Sequence, residues 1–347
     1  MDAWFLVLDA TGGDASRRVG GLSLALRLAL DAQAGGAQGV VAPEALRALL
    51  ADRRLRIPVL DDAPTDARRV RVPASYLVHR GLFKAIAERG LALDLGETEF
   101  DFDPPWGFSP VDVVDEETAR DAERLLFRSL RKPQDGWTSR WLNRYLSLAL
   151  SRWLARTPLT PNQISVAILG VGVAGAILAS RGGYANLALG AFLFQMQSVL
   201  DGCDGEVSRV THRGSLAGEW LDTIGDDLTN YGFFAGAALG LGSTPYLVAG
   251  TVMIACGIIT SGIEYAYLIR IGSGDLLKYP LSQSTTSGTG PLATIGPLFK
   301  RDTFVLLTFL AALAGWVGPM LIVFSLGAAG ILVSVIRTEL RMARSPR

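Results

Sequence analysis

Residues 201–226 read D-G-C-D-G-E-V-S-R-V-T-H-R-G-S-L-A-G-E-W-L-D-T-I-G-D. Asp201 and Asp204 stand three apart, Asp222 and Asp226 four apart. Each pair therefore projects from one face of a helix. The pairs are also symmetric: Asp204 and Asp222 centre on Arg213, and Asp201 and Asp226 centre between Arg213 and Gly214. A reversal of the chain there brings four carboxylates to one depth. The flanking sequence is apolar, so ionised carboxylates crowd a half-dry site, repel one another and need a cation to hold them. Ligands that are all oxygen favour Mg²⁺ or Mn²⁺. Gly205 lies one turn beyond Asp201 and Gly218 one turn before Asp222, removing bulk where helices or a ligand must approach closely. Four acids at matched depth, with two glycines and an arginine between them, outweigh a reading of each as a solvated residue at a helix end. Asp227, rotated about 100° from Asp226, is expected to be a bystander. Acids inside a membrane also mark ion or proton pathways, so a cation-coupled transporter stays open as a second reading. Transporters usually carry internal repeats, and this sequence holds none.

The rest of the chain supplies the setting. Lys and Arg number 33, as do Asp and Glu, so no basic excess points to nucleic acid. The balance conceals a split, with most charge in residues 1–160 and long apolar runs in 161–340. Two cysteines (Cys203, Cys256) and two histidines (His79, His212) argue against a disulfide framework or a zinc site. Six apolar stretches approach the roughly 20 residues a membrane helix needs: 163–181, 184–205, 219–241, 245–269, 302–318 and 319–340. Basic residues cluster before the first, between the second and third, between the fourth and fifth, and after the last; the opposite loops offer only Arg181. The positive-inside rule then places both termini in the cytoplasm of a multi-pass cell-membrane protein.

Residues 139–156 suit an interfacial amphipathic helix within a 136–160 linker. Leu142, Leu146, Ala149, Leu150, Trp153 and Leu154 share one side, and Arg140, Arg144, Arg152 and Arg156 the other. An ordinary soluble amphipathic helix has the same pattern. Thr160-Pro161-Asn162-Gln163 reads as an N-cap, a first-turn proline and a capping box opening the membrane domain, 161–347. Residues 1–135 read as a small cytoplasmic α/β domain. Strand-like runs at 4–9, 38–42, 56–60 and 69–72 alternate with helical patterns at 18–33, 43–51 and 80–89, and an acidic, proline-containing loop covers 97–117. The run Trp4–Leu8 is too short for the apolar core of a signal peptide.

The 201–226 stretch resembles the signature of the CDP-alcohol phosphotransferases, D-x2-D-G-x2-A-R-x8-G-x3-D-x3-D. Asp201, Asp204, Gly205, Arg209, Gly218, Asp222 and Asp226 match it, and Ser208 stands where the family has Ala. The resemblance implies a two-metal site with Asp201, Asp204 and Asp222 as main ligands and Asp226 as base and further ligand. It implies that Gly205, Arg209 and Gly218 lie at the phosphates, and that Asn162 belongs to a Pro-Asn element beside the nucleotide. It further implies a CDP-activated donor of CDP-diacylglycerol or CDP-inositol type, release of CMP, contact with membrane lipid and a homodimer. The run R-S-L-R-K-P-Q-D-G-W-T-S-R-W-L-N-R, followed by D-G-C-D-G-E, is similar to the di-myo-inositol-phosphate-phosphate synthase branch and its phosphatidylinositol-phosphate synthase relatives. The acceptor implied is a polyol or polyol phosphate, for which Arg270, Lys278 and Arg337 are candidate cations; Arg337 equally fits a side chain snorkelling to the interface.

That branch often carries an N-terminal cytidylyltransferase, and residues 4–42 look like a worn copy of one. Val19-Gly20-Gly21-Leu22 and Arg27 stand where such enzymes have G-x-P-L-L-x-R, the first lysine of the chain is Lys84, and Ser75 stands near an expected acid. The domain is expected to be nucleotidyltransferase-like but non-catalytic. CTP-dependent formation of CDP-inositol by residues 1–135 is the assay, and any such product overturns the expectation.

Overall fold

The protein is described by a computed structural model covering residues 3–10, 12–89, 93–94, 107–131, 138–282 and 301–344. It divides into two compact units. One comprises Met1–Lys132, Arg152–Pro158 and Val207–Arg213; the other comprises Pro133–Ser151, Leu159–Glu206 and Gly214–Arg347.

The first unit is built on a five-stranded parallel sheet in the order β5-β4-β1-β6-β8. The strands are β1 (Trp4–Asp9), β4 (Gly39–Val41), β5 (Val59–Leu60), β6 (Arg68–Pro73) and β8 (Leu93–Asp94). Parallel strands need crossovers, which α1 (Leu24–Ala34), α2 (Glu44–Leu50) and α3 (Arg80–Arg89) supply. The core is continuous from Trp4, Leu6 and Leu8 through Val70 and Val72 to Leu28, Phe83 and Ile86. The strand at 4–9 and the helix at 80–89 fall where the sequence pattern puts them. The helix expected over 18–33 begins at Leu24 instead. Arg18–Val19 (β2) and Leu22–Ser23 (β3) pair antiparallel around Gly20 and Gly21, whose φ values of 57° and 80° are costly without glycine. Residues 97–106 of the loop expected over 97–117 lie outside the described residues; in the remainder Val111–Asp112 (β9) pairs with Tyr76–Leu77 (β7). Helix α4 (Glu116–Arg128) closes this region with a capping box between Asp115 and Thr118.

The later segments of this unit are held by specific bonds. Arg54 donates from Nη1 to the Thr211 carbonyl at 2.6 Å, and its hydrogen bonds to Asp52 hold that carboxyl down at about 2. His212 Nε2 lies 3.2 Å from Asp31 Oδ1, and Arg156 Nη2 donates to Glu123 Oε2 at 2.5 Å.

The second unit is helical: a π-helical turn (Ser139–Asn143), α5 (Arg144–Leu154), α6 (Pro161–Ser180), α7 (Tyr184–Leu200), α9 (Leu216–Leu241), α10 (Thr244–Ile271), α11 (Arg301–Leu313) and α12 (Val317–Arg344). Helix α8 (Gly202–Thr211) begins in this unit and ends in the first. Three of the described helices, α6, α10 and α12, are long and apolar enough to cross a membrane. The stretch expected to run unbroken over 184–205 breaks at Asp201, between α7 and α8. At the start of α6 the Thr160–Gln163 capping box forms as its residues require, with Thr160 N donating to Gln163 Oε1 at 2.9 Å.

Helix α5 corrects one expectation. The outward face of α5 and of the π-helical turn before it is apolar, with Trp141, Tyr145, Leu146 and Trp153 exposed, as an interfacial helix needs. Arg144, expected on the solvated side with the other arginines, is buried beside Asn143, Ser147 and Ser151. The reason is a buried acid partner, Glu206, invisible at that sequence distance.

Helices α6 and α9 pack most extensively, and small residues set their spacing. A Cβ on Gly236 would lie 2.3 Å from the Ala176 carbonyl oxygen, and one on Gly240 would lie 2.1 Å from that of Ala179. Gly236→Val is therefore expected to cost about 1–3 kcal/mol by overpacking. Gly262→Ala, where nothing lies within 4 Å of the added carbon, should leave stability unchanged or slightly raised. Thermal denaturation of the two variants in one detergent checks the contrast.

Candidate metal centre

Three of the four acids from the opening stretch meet. Single carboxylate oxygens of Asp201, Asp222 and Asp226 all lie within 4.8 Å of one another. Asp201 sits at the junction of α7 and α8, and Asp222 and Asp226 occupy successive turns of α9, one above the other as i, i+4 spacing requires. Asp204 falls outside this group. On the first turn of α8 its Oδ2 accepts a hydrogen bond from Ser165 Oγ of α6, and its Oδ1 accepts from Gly205 N at 2.5 Å. Asp227 turns towards α10, where Ser261 Oγ and Tyr265 OH (2.6 Å) both donate to its Oδ2. Ser261 has one proton and gives it to Asp227, so Tyr231 OH donates to Ser261 at 2.7 Å.

Among the described residues, the cation that pairs with two of the three acids is Arg301, the first residue of α11. Its Nη1 lies 3.1 Å from Asp201 Oδ2 and 2.9 Å from Asp226 Oδ1. Its remaining donors are steered by Gln197 Oε1 at 2.6 Å and Asn230 Oδ1 at 3.3 Å. In the sequence Arg301 is one of the basic residues between the fourth and fifth apolar stretches. The available signal was its place at the very start of an apolar run, rather than apart from one. Arg270 on α10, Lys278 in the 3₁₀ turn Leu276–Lys278 and Arg337 on α12 are exposed, and Lys278 Nζ donates to Ser273 Oγ at 2.9 Å.

A single arginine does not satisfy the cluster. Asp226 Oδ1 is cut off from water and, despite its nearness to Arg301, has no aligned hydrogen-bond donor. An all-carboxylate donor set with a buried, under-satisfied oxygen fits a hard divalent cation, Mg²⁺ or Mn²⁺.

Two further observations define the surroundings. Asn162, the second residue of α6, is exposed, and its Oδ1 stands 3.0 Å from where a Cβ on Gly218 would be. Glycine there leaves room between the starts of α6 and α9 on the side of the acids. On α9 Glu219 Oε2 accepts from Gly274 N at 3.0 Å, and Thr223 Oγ1 donates to the Gly274 carbonyl at 2.7 Å, so the turn after α10 is fastened to the turn preceding Asp222. Arg209 lies near the end of α8, partly exposed.

The start of α8 is held by a pair that sequence reading missed. Glu206, completely buried, accepts from Arg144 Nη1 at 2.5 Å and from Ser147 Oγ at 2.8 Å, both at Oε1. Gly202 makes room for it, because a Cβ there would lie 3.0 Å from Arg144 Nη1. Asp204 thus stands on a helical turn anchored to α5 two residues later.

A model of the CDP-alcohol phosphatidyltransferase family matches residues 158–336. The bifunctional IPC transferase and DIPP synthase of Aquifex aeolicus is 35% identical over 136 residues, 39% of this chain and 31% of that protein. The protein of the same name from Thermococcus kodakarensis is 35% identical over 156 residues, 43% of this chain and 35% of that protein. The matched region thus spans about a third of the length of these curated relatives. Among solved structures, the crystal structure of Mycobacterium tuberculosis phosphatidylinositol phosphate synthase with CDP-DAG bound shows a TM-score of 0.43 at 17% identity, covering 56% of this chain and 93% of that one.

Removing one partner of the buried pair leaves a charge without compensation. Arg144→Met is expected to destabilise the full chain by roughly 3–5 kcal/mol, and the double change with Glu206→Met to recover most of that loss. Denaturant melts of the single and double variants provide the measurement.

Proposed function

Because the chain belongs to the CDP-alcohol phosphatidyltransferase family, we propose that it transfers a phosphoryl-linked alcohol of diacylglycerol or inositol type from a CDP-activated donor to an acceptor hydroxyl, releasing CMP. The observation that carries this is the Asp201, Asp222 and Asp226 cluster inside the matched region. The transporter reading is set aside, since the family accounts for the same carboxylates.

The acceptor oxygen attacks the β-phosphorus of the donor. A new P–O bond forms, the bond from that phosphorus to the oxygen bridging to the α-phosphate breaks, and CMP leaves with the electron pair. Asp201, Asp222 and Asp226, joined by Asp204 if it exchanges Ser165 for metal, would hold two divalent cations, which would neutralise charge on the diphosphate and on the departing CMP. Asp226 takes the acceptor proton. Arg209 offsets phosphate charge, and the gap kept by Gly218 beside Asn162 admits the nucleotide end of the donor. Gly205, on α8, is the other glycine proposed to lie at the phosphates. Arg301 orients Asp201 and Asp226 through its ion pairs with both.

The acceptor is a polyol or polyol phosphate, and Arg270, Lys278 and Arg337 are the cations proposed for an anionic one. The membrane domain has six spans with both termini cytoplasmic, preceded by the interfacial helix around α5 and by a non-catalytic α/β domain, and the protein works as a homodimer among membrane lipids.

The test is CMP release by purified protein, with CDP-diacylglycerol and CDP-inositol as donors and inositol phosphate, inositol, glycerol phosphate and serine as acceptors. Asp201→Asn, Asp204→Asn and Asp222→Asn are each expected to leave under about a tenth of the rate at saturating Mg²⁺, with folding intact. Asp226→Asn separates two roles. Loss of a general base lowers the maximal rate by roughly 10²–10⁴-fold with unchanged metal dependence, whereas loss of a ligand is rescued by more Mg²⁺. The first outcome is expected, and rescue by metal would reject the assignment of Asp226 as base.

A further inference from the structure

Within the first unit lies a cavity of about 480 Å³, on a different set of residues from the acid cluster. Arg17 lines it from the loop after β1, Arg18 from β2, Glu116, Arg120 and Glu123 from α4, and Arg156 from the segment after α5. A volume of this order suits a small molecule.

The acids of the lining are mostly used up. Both oxygens of Glu123 are engaged, Oε1 by Gly20 N at 3.2 Å and Oε2 by Arg156 Nη2 at 2.5 Å. Glu116 lies 3.8 Å from Arg120, one turn along the same exposed helix face. Arg17 is different: its Nε and Nη1 are both shut off from water and have no hydrogen-bond partner. Two other acids bear on Arg17 through charge, Asp14 and Asp115. Each is occupied by its own turn, Asp14 accepting from Ser16 N and Oγ and Asp115 from Thr118 N and Oγ1. The backbone of the loop that carries Arg17 is held in place. Arg17 N bonds to the Asp14 carbonyl at 3.1 Å, its carbonyl accepts from Leu24 N at 3.0 Å, and Arg27, buried, donates to the Val19 carbonyl at 2.7 Å. Arg17, Arg18 and Arg120 therefore line one cavity with guanidinium groups in excess over its acids, and guanidinium forks match the planar, multi-oxygen geometry of a phosphate.

We propose that this cavity binds a phosphate ester, with Arg17 as the central donor and Arg18 and Arg120 as flanking cations. Binding here requires no metal and none of the four aspartates. The phosphate belongs either to a small soluble ester or to the headgroup of an anionic lipid, and the two sources are separable.

Full-length protein in uncharged detergent is dialysed to equilibrium against radiolabelled glycerol phosphate, and separately mixed with micelles doped with phosphatidylglycerol or phosphatidylcholine, for wild type and Arg17→Gln. Saturable binding of glycerol phosphate, weakened about tenfold or more in the variant, assigns a soluble ester. The same loss confined to phosphatidylglycerol-doped micelles assigns a headgroup. CMP release stays at the wild-type rate in Arg17→Gln, which separates this site from the aspartate cluster. Arg17→Lys, which keeps the charge and loses the fork, is expected to fall between the two and serves if Arg17→Gln fails to fold. Absence of saturable binding from both sources, or binding unchanged in both variants, overturns the proposal.

Discussion

Asp201, Asp222 and Asp226 hold carboxylate oxygens within 4.8 Å of one another in a helical unit with apolar surroundings, and like charges at that spacing repel strongly where water is scarce. The architecture around them consists of devices that keep them there. Helices α6 and α9 are locked by carbonyl-to-glycine contacts, which fixes the height of Asp222 and Asp226 against the start of α6. The break after α7 turns Asp201 towards them, and Glu206 with Arg144 pins the helix that follows. Arg301 supplies a positive charge that two of the three acids share. An offset of one residue in any of these contacts would rotate a carboxylate by about 100° and take it out of the group.

Chemistry written in local spacing was readable from the chain. The i, i+4 relation of Asp222 and Asp226, the capping box at Thr160 and the apolar strand at 4–9 depend on neighbours in sequence and come out as read. Relations between distant residues were not readable. Glu206 and Arg144 are 62 residues apart, and nothing in the amphipathic pattern of α5 distinguishes a buried arginine from a solvated one. Arg301 looks like any other basic residue between two apolar runs until α11 is packed beside α7. Asp204, equivalent to Asp201 in spacing arguments, is drawn to Ser165 instead because the helix restarts after Asp201 and changes the phase of its side chains. The helix expected from residue 18 was overruled by two glycines whose backbone angles suit a tight turn.

Helix α6 also inverts the usual distribution of side-chain size. On α6 the buried positions include Gly172, Gly175 and Ala179, while Val166, Val173 and Ile177 face outwards. In water such a surface would be a liability; against acyl chains it needs no covering, and cohesion comes from close backbone approach instead. The same logic explains why residues 139–154 turn two tryptophans outwards and keep serines and a buried ion pair inside.

The order in which the ribosome makes these parts adds a constraint on biogenesis. Asp226 and Arg301 are 75 residues apart (301 − 226), so the acids of α9 leave the ribosome well before the guanidinium that pairs with them. During that interval α9 carries acids that have only water or free cations for company, and a helix centred on such residues inserts poorly. The chain lessens this by confining Asp222 and Asp226 to the first eleven residues of α9 and leaving its last fourteen free of charge. In the six-span arrangement proposed above, the apolar half would enter the bilayer while the acidic half stays at the aqueous face, and the arrival of α11 would complete neutralisation after insertion rather than before it.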